Sequence, residues 1–125
     1  MNKKVIVIAD DDPNMRKLVE MSIKNDDYEI YSFKNGREVI EFSSRRKIDL
    51  AILDALMPGK HGFEVAKLLK ENPLQEGIKV FILTSIYTQK KYELDATIEC
   101  GVDEYLYKPF DPKVLRKKVA EYLLG

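Results

Sequence analysis

Residues 49–62 read DLAILDALMPGKHG and place a carboxylate at the end of an apolar run. The run LAIL has no polar break, which is typical of a central parallel strand covered on both faces. Asp54 follows the run directly, at the edge of an open α/β sheet where ligands bind. Met57-Pro58-Gly59 predicts a sharp turn, and Gly62 predicts a loose hinge before the next helix. We therefore expect Asp54 to stand exposed at the mouth of a loop on a rigid base.

Apolar strand patterns alternate with helical patterns on both sides of this stretch. The four other predicted strands are Val5–Ala9, Tyr28–Phe33, Ile78–Leu83 and Tyr105–Tyr107. Helical spacing of apolar residues predicts a helix after each strand, five in all, and the fourth of these spans about residues 88–99. Such βα alternation predicts a doubly wound, five-stranded parallel sheet with helices on both faces. Residues 1–125 then form one α/β domain.

The composition narrows the class of protein. The chain has 125 residues, a length that fits one domain. Its 21 basic and 21 acidic residues balance, so we expect no direct contact with nucleic acid or an anionic membrane. The single cysteine, Cys100, excludes an internal disulfide. The apolar run Val5–Ala9 is too short for a signal-peptide core, and no stretch is long enough to span a membrane, so we predict a cytoplasmic protein.

Polar residues follow four of the five predicted strands. Because the carboxyl ends of parallel strands lie along one edge of the sheet, these residues must converge despite their separation in sequence. They are Asp10, Asp11, Asp54, Thr84 and Lys108. The sequence therefore predicts a cleft that holds three carboxylates, a hydroxyl and an ammonium group.

The three carboxylates predict a metal site. Close carboxylates repel one another unless a cation or a proton intervenes, and an anionic site made of oxygen atoms suits Mg²⁺. Asp10 and Asp11 would hold the ion and Asp54 would share it. A backbone carbonyl just after Asp54, which we assign to Leu56, would complete part of the octahedron.

The same group of side chains predicts phosphoryl transfer. A carboxylate can attack phosphorus to form an acyl phosphate, and a metal ion neutralises charge on the group in transit. Lys108 and the Thr84 hydroxyl would contact the phosphoryl oxygens. The predicted reaction is transfer of a phosphoryl group onto Asp54.

With these residues at its strand ends, the chain resembles the receiver domains of two-component response regulators, including single-domain receivers of the chemotaxis type. The resemblance extends from Val5 to Leu124 and depends on four ordered motifs, IADDDPNMR, LDALMPGKHGFE, VFILTS and DEYLYKPFD. It implies that Asp54 is the phosphoacceptor, that Asp10 and Asp11 bind metal, that Thr84 follows the phosphoryl group and that Lys108 is its basic partner. It also implies a flavodoxin-like sheet with strand order 2-1-3-4-5.

The resemblance also implies partners and a signalling role. Family members receive the phosphoryl group from a histidine kinase or a histidine phosphotransfer protein in a phosphorelay, and they act on a downstream effector protein. They are signalling modules rather than enzymes, because their own phosphorylation and its slow hydrolysis are the only reactions. A phosphorylation-dependent homodimer is left open.

A conformational switch follows from the same resemblance. Once Asp54 is phosphorylated, Thr84 moves inward and an aromatic side chain on the last strand rotates into the space behind it. Tyr105 holds the position of that aromatic residue. The fourth helix, the fifth strand and the fifth helix then form the surface that reports phosphorylation. The Lys108–Pro109 peptide bond is expected to be cis, because the turn must aim the ammonium group into the cleft.

Four residues depart from the family pattern or invite a second interpretation. Leu56 and Ile86 are apolar at positions that flank the path of attacking water, so we predict slow loss of the phosphoryl group. His61 stands where relatives often have aspartate, and we interpret it as a solvated loop residue. Asp12 is interpreted as the cap of the first helix rather than a metal ligand.

Three other hypotheses compete with a stand-alone receiver. The chain could be the receiver portion of a longer regulator with a DNA-binding or enzymatic output, although its end at Gly125 favours the stand-alone form if the chain is complete. It could be a haloacid-dehalogenase-type phosphatase, but Asn14 stands where that signature needs threonine or valine. Flavin binding is disfavoured because an acidic cleft repels a phosphate.

Overall fold

The sheet contains five parallel strands. The computed structural model describes residues 2–85, 95 and 99–125. Its strands are β1 (Lys4–Ala9), β2 (Tyr28–Phe33), β3 (Leu50–Asp54), β4 (Lys79–Thr84) and β5 (Glu104–Tyr107). Every neighbouring pair is parallel and the order is β2-β1-β3-β4-β5. The predicted flavodoxin-like strand order is therefore confirmed.

Within the described residues, four α-helices cover the sheet. They are α1 (Pro13–Ile23), α2 (Gly36–Ser43), α3 (Gly62–Glu71) and the C-terminal helix (Pro112–Leu123), and a short 3-10 helix covers Pro73–Gln75. The helix predicted over 88–99 lies outside the described residues except for Asp95 and Glu99, both of which are helical. None of the helices in the described ranges has the length and apolar character needed to cross a membrane.

Side-chain caps fix where three of the helices begin. The carboxylate of Asp12 accepts a hydrogen bond from the backbone N–H of Asn14, and Asp111 caps the C-terminal helix in the same way. A proline follows each of these two caps at the first helical position, where its missing N–H costs nothing. Asn35 caps α2 through the N–H of Glu38. The predicted capping role of Asp12 is confirmed.

The core forms one layer on each face of the sheet, because successive side chains of a strand point to opposite faces. The layer beneath α2 and α3 includes Val7, Ala51, Leu53, Val80, Ile82, Val65 and Leu69. The layer beneath α1 and the C-terminal helix includes Ile6, Ile8, Ile52, Phe81, Val19, Leu115 and Val119. Leu18 of α1 is 46% exposed, because α1 turns Val19, Ser22 and Ile23 toward the sheet instead.

Candidate active site

The carboxyl ends of three strands bring two acids and one base into contact. Asp10 follows β1, Asp54 ends β3 and Lys108 follows β5. The Nζ atom of Lys108 lies 2.7 Å from Oδ2 of Asp10 and 3.6 Å from Oδ1 of Asp54. The Asp10 and Lys108 side chains are only 5% and 13% exposed, so this ion pair is weakly screened by water. The sheet edge thus brings together three of the five side chains that the sequence predicts for the cleft.

Asp10, Asp11 and Asp54 form a cluster that could hold a metal ion. One carboxylate oxygen from each residue can be chosen so that all three atoms lie within 4.8 Å of one another. The donors are all hard oxygen atoms, which fits Mg²⁺ and does not favour a soft metal. Asp10 is buried and Asp11 is exposed, so the cluster opens to solvent on one side.

The β1–α1 loop is braced from within. Oδ1 of Asp10 accepts a hydrogen bond from the backbone N–H of Asp12 at 2.9 Å. The Arg16 guanidinium donates to the backbone carbonyl of Asp10 at 2.8 Å. Sequence reasoning did not assign a role to Arg16, and nothing in its residue type or position distinguishes it from a surface arginine. Together these bonds orient Asp10 so that its other oxygen meets Lys108.

Asp54 is less accessible than expected. Its side chain is 11% exposed, whereas the sequence suggested an exposed carboxylate. Burial raises its pKa, the neighbouring Asp10 carboxylate raises it further, and Lys108 opposes both effects. A hydrogen bond from the backbone of Leu56 also lowers the pKa of Asp54. The carboxylate therefore bears an unfavourable charge that a cation in the cluster would relieve.

An open cleft of about 470 Å³ gives access to these groups. Leu56 lines it and is 38% exposed. Ser85 also lines the cleft. Ile86, the other predicted apolar flank, lies outside the described residues. The remaining wall is formed by Asp10, Asp11, Asp12, Asp54, Met57, Pro58 and Lys108.

Thr84 lies at the end of β4, between the acidic cluster and the last strand. It is only 1% exposed, and its backbone carbonyl accepts a hydrogen bond from the N–H of Lys108 at 2.8 Å. The register places Thr84 opposite Tyr107. The Lys108–Pro109 bond is cis, as predicted.

Tyr105 lies inward rather than at the surface. It is 8% exposed, while Tyr107 on the same strand is 38% exposed. The Tyr105 ring stacks on Phe63 of α3, with ring centroids 6.1 Å apart and planes 14° apart. Sequence reasoning missed Phe63, because no local pattern links the start of a helix to a strand more than forty positions away.

The start of α3 corrects one prediction and agrees with another. Gly62 was expected to act as a loose hinge, but it is buried and is the first residue of α3. A β-carbon on Gly62 would lie 2.2 Å from the carbonyl oxygen of Asp54, so glycine is needed here for close approach rather than for mobility. His61 is exposed at the cap position and makes no side-chain capping bond, which agrees with its interpretation as a solvated residue.

Comparison with known families gives one match over most of the chain. The profile described as "Response regulator receiver domain" matches residues 6–120. The phosphate regulon regulatory protein PhoB of Pseudomonas aeruginosa is 34% identical over 115 residues, which cover 90% of this chain and 48% of PhoB. The alkaline phosphatase synthesis regulatory protein PhoP of Bacillus subtilis is 28% identical, with 98% of this chain and 49% of PhoP covered. The chain thus spans about half the length of these curated relatives.

Solved structures of receiver domains and response regulators have the same fold as this chain. The BeF3-activated receiver domain of DrrB is 25% identical with a TM-score of 0.86, and the match covers 98% of this chain and 99% of that domain. A response regulator from Chloroflexus aurantiacus, described as putative, is 27% identical with a TM-score of 0.87 and is covered completely by 99% of this chain.

Proposed function

Because this chain belongs to the response regulator receiver domain family, we propose that it accepts a phosphoryl group on Asp54 and reports the modification through its last strand. The observation that carries the proposal is the cluster of Asp10, Asp11 and Asp54 beside Lys108 at the ends of parallel strands. The receiver family match over residues 6–120 also sets aside the phosphatase and flavin-binding hypotheses.

The cleft fits Mg²⁺. Asp10, Asp11 and Asp54 would hold the ion, and the Leu56 carbonyl is the proposed fourth protein ligand. When bound, Mg²⁺ supplies positive charge that offsets repulsion among the carboxylates and the incoming phosphoryl oxygens. The raised pKa of Asp54 supports this proposal. It means that the ionised carboxylate is destabilised by its surroundings, and a nearby cation would stabilise that ionised form.

The transfer step uses the side chains of the Mg²⁺-loaded cleft and a phosphorylated donor. A carboxylate oxygen of Asp54 forms a bond to phosphorus as the bond from phosphorus to a histidine nitrogen of the donor breaks. The electron pair of that bond stays on the imidazole, which takes up a proton. Lys108 stabilises the phosphoryl oxygens, and the Thr84 hydroxyl donates a hydrogen bond to one of them.

Thr84 and Tyr105 would form the switch. Movement of Thr84 toward the phosphoryl group opens space that the inward Tyr105 ring fills, which biases the surface of β5 and its neighbouring helices toward one of two arrangements. The buried position of Tyr105, beside a strand that ends in Thr84, supports this assignment.

The proposed partners follow from the donor chemistry. A histidine kinase or a histidine phosphotransfer protein supplies the phosphoryl group, and an effector protein binds the switched surface. PhoB and PhoP are named as regulatory proteins, and a DNA-binding output is one way in which a receiver such as this one would act. Formation of a homodimer on phosphorylation is a second way in which it would act.

We place the protein in the cytoplasm, where ATP-dependent phosphorylation takes place. We regard it as a signalling module rather than an enzyme.

We further propose that the phosphorylated form is long-lived. The Leu56 side chain cannot orient an attacking water by hydrogen bonding, and this residue lines the cleft. After removal of the phosphodonor, the phosphoryl group should decay over minutes to hours when followed by intact mass. A half-life of seconds would contradict this proposal.

Intact mass after incubation with acetyl phosphate and Mg²⁺ tests the proposed function. Wild-type protein should gain the mass of one phosphoryl group, and both Asp54→Asn and chelation should abolish the gain. Asp12→Asn is a matched control, since Asp12 lines the same cleft but caps a helix. A gain that survives in Asp54→Asn would contradict the assignment of the acceptor.

A further inference from the structure

The first residue of α3 is pressed against the backbone that carries the acceptor carboxylate. The N–H of Gly62 donates to the carbonyl of Ala55 at 2.9 Å. A β-carbon on Gly62 would also lie 3.0 Å from the Cα of Ala55, in addition to its collision with the Asp54 carbonyl. Because real β-carbons do not approach backbone atoms so closely, the first turn of α3 cannot keep this position with any other residue. The backbone at Asp54 and the start of α3 are therefore packed directly against each other.

The second residue of α3 is pressed against the proposed switch side chain. The Phe63 ring is partly buried and stacks on Tyr105, with centroids 6.1 Å apart. Tyr105 in turn meets Tyr107 edge-on, with centroids 5.6 Å apart and planes 69° apart. Offset aromatic stacking stabilises a pair beyond the area it buries. The contact thus favours the inward position of Tyr105.

We propose that Gly62 and Phe63 are positioning residues that couple the backbone at Asp54 to the ring of Tyr105 through the first turn of α3. This inference rests on the proposed function, in which phosphorylation of Asp54 favours the inward ring. Because Gly62 and Phe63 are adjacent in the first turn of α3, this turn connects the backbone at Asp54 to the Phe63 ring by a route that does not include Thr84. The Phe63 ring then shifts the equilibrium between the inward and outward positions of the Tyr105 ring toward the inward one.

Thermodynamic linkage makes this coupling measurable. If Phe63 stabilises the inward ring, and the phosphoryl group also favours that ring, then loss of Phe63 must weaken the binding of a phosphoryl mimic. The suitable probe is beryllofluoride with Mg²⁺, with bound fluoride followed by fluorine NMR. We expect Phe63→Leu to bind beryllofluoride about threefold to tenfold more weakly than wild type, a range that corresponds to one aromatic pair.

Phe42→Leu is the matched control. Phe42 is also partly buried against the same core layer and also meets a tyrosine ring, that of Tyr31 at 4.9 Å, but Tyr31 lies on β2, at the opposite edge of the sheet from β5. The two variants should lose similar stability in urea, while only Phe63→Leu loses affinity for beryllofluoride. Equal affinity losses in both variants would mean that general destabilisation is responsible, and would overturn the proposal.

A double-mutant cycle with Tyr105→Leu assigns the effect to the ring contact. Phe63→Leu should weaken beryllofluoride binding in the wild-type background and leave it unchanged in the Tyr105→Leu background. An equal loss in both backgrounds, or no loss in either, would overturn the proposal. If wild-type protein itself fails to bind beryllofluoride, the proposed function fails and this inference fails with it. Binding by wild type with unchanged affinity in Phe63→Leu contradicts this inference alone.

Discussion

Asp54 combines a buried position with an acidic neighbourhood. Burial and the Asp10 carboxylate raise its pKa from the usual value of 3.8, against the opposing charge of Lys108. The folded protein therefore binds this proton more tightly than the unfolded chain does. As a result, the free energy of unfolding falls as pH rises through the window between the unfolded and the raised folded pKa. The carboxylate that is proposed to accept the phosphoryl group is also a source of instability when it is ionised.

Asp54→Asn should therefore stabilise the protein at neutral pH. In the presence of chelator, the variant should unfold at higher urea concentration than wild type at pH 7, because it removes the buried charge. The difference should shrink as pH falls toward the unfolded pKa and Asp54 becomes protonated. Urea titrations at several pH values measure both effects. A variant that is less stable than wild type at pH 7 would contradict this description of Asp54.

Lys108 is the cation that the described residues place between Asp10 and Asp54. Lys108→Met should lower the free energy of unfolding by about 3 kcal/mol in chelator, because it leaves the buried Asp10 charge without its partner. Mg²⁺ should restore more stability to the variant than to wild type, since the ion takes over the neutralising role. Urea unfolding with and without Mg²⁺ measures this difference. A loss that Mg²⁺ does not relieve would show that Lys108 acts mainly through packing.

Among the secondary-structure elements, α3 was the least predictable from sequence. Helical spacing of apolar residues predicted a helix after β3, and the structure has that helix at Gly62–Glu71. The role of Gly62 could not be predicted, because a sequence pattern does not reveal which backbone atoms approach each other. By contrast, the caps Asp12 and Asp111 could be predicted, since an acid followed by proline has a local reason to begin a helix.

Gly62→Ala should affect the site as well as stability. The added methyl group must displace α3 from the Asp54 carbonyl, and such overpacking costs about 1–3 kcal/mol. Affinity for Mg²⁺ should fall as well, because the backbone of the proposed ligands moves. Calorimetric titration of Mg²⁺ and urea unfolding report these two effects separately.

Gly77→Ala provides the control for that variant. Gly77 has a φ of +85°, so alanine strains its backbone, but an added β-carbon there would meet nothing within 4 Å. It should lose stability and keep its affinity for Mg²⁺. Unchanged Mg²⁺ affinity in Gly62→Ala, or an equal loss in both variants, would contradict a role for Gly62 in holding the site.

At the scale of the whole molecule, the strand ends are what the sequence predicted best. Asp10, Asp54 and Lys108 are far apart in the chain, yet their meeting follows from one rule, that parallel strands share a carboxyl edge. The contact of Phe63 with Tyr105 obeys no such rule, because it depends on how far α3 is shifted along the sheet. Contacts set by topology were predictable, and contacts set by the packing of one helix were not.

The most direct test of the central claim is to identify the residue that carries the phosphoryl group. After reaction with acetyl phosphate and Mg²⁺, borohydride reduces an acyl phosphate and converts the modified aspartate to homoserine, which peptide mass spectrometry can locate. We predict homoserine at position 54 in wild-type protein, and none at that position when Mg²⁺ is chelated before the reaction. Homoserine at position 10 or 11 with unmodified Asp54, or no homoserine at any position, would contradict the account.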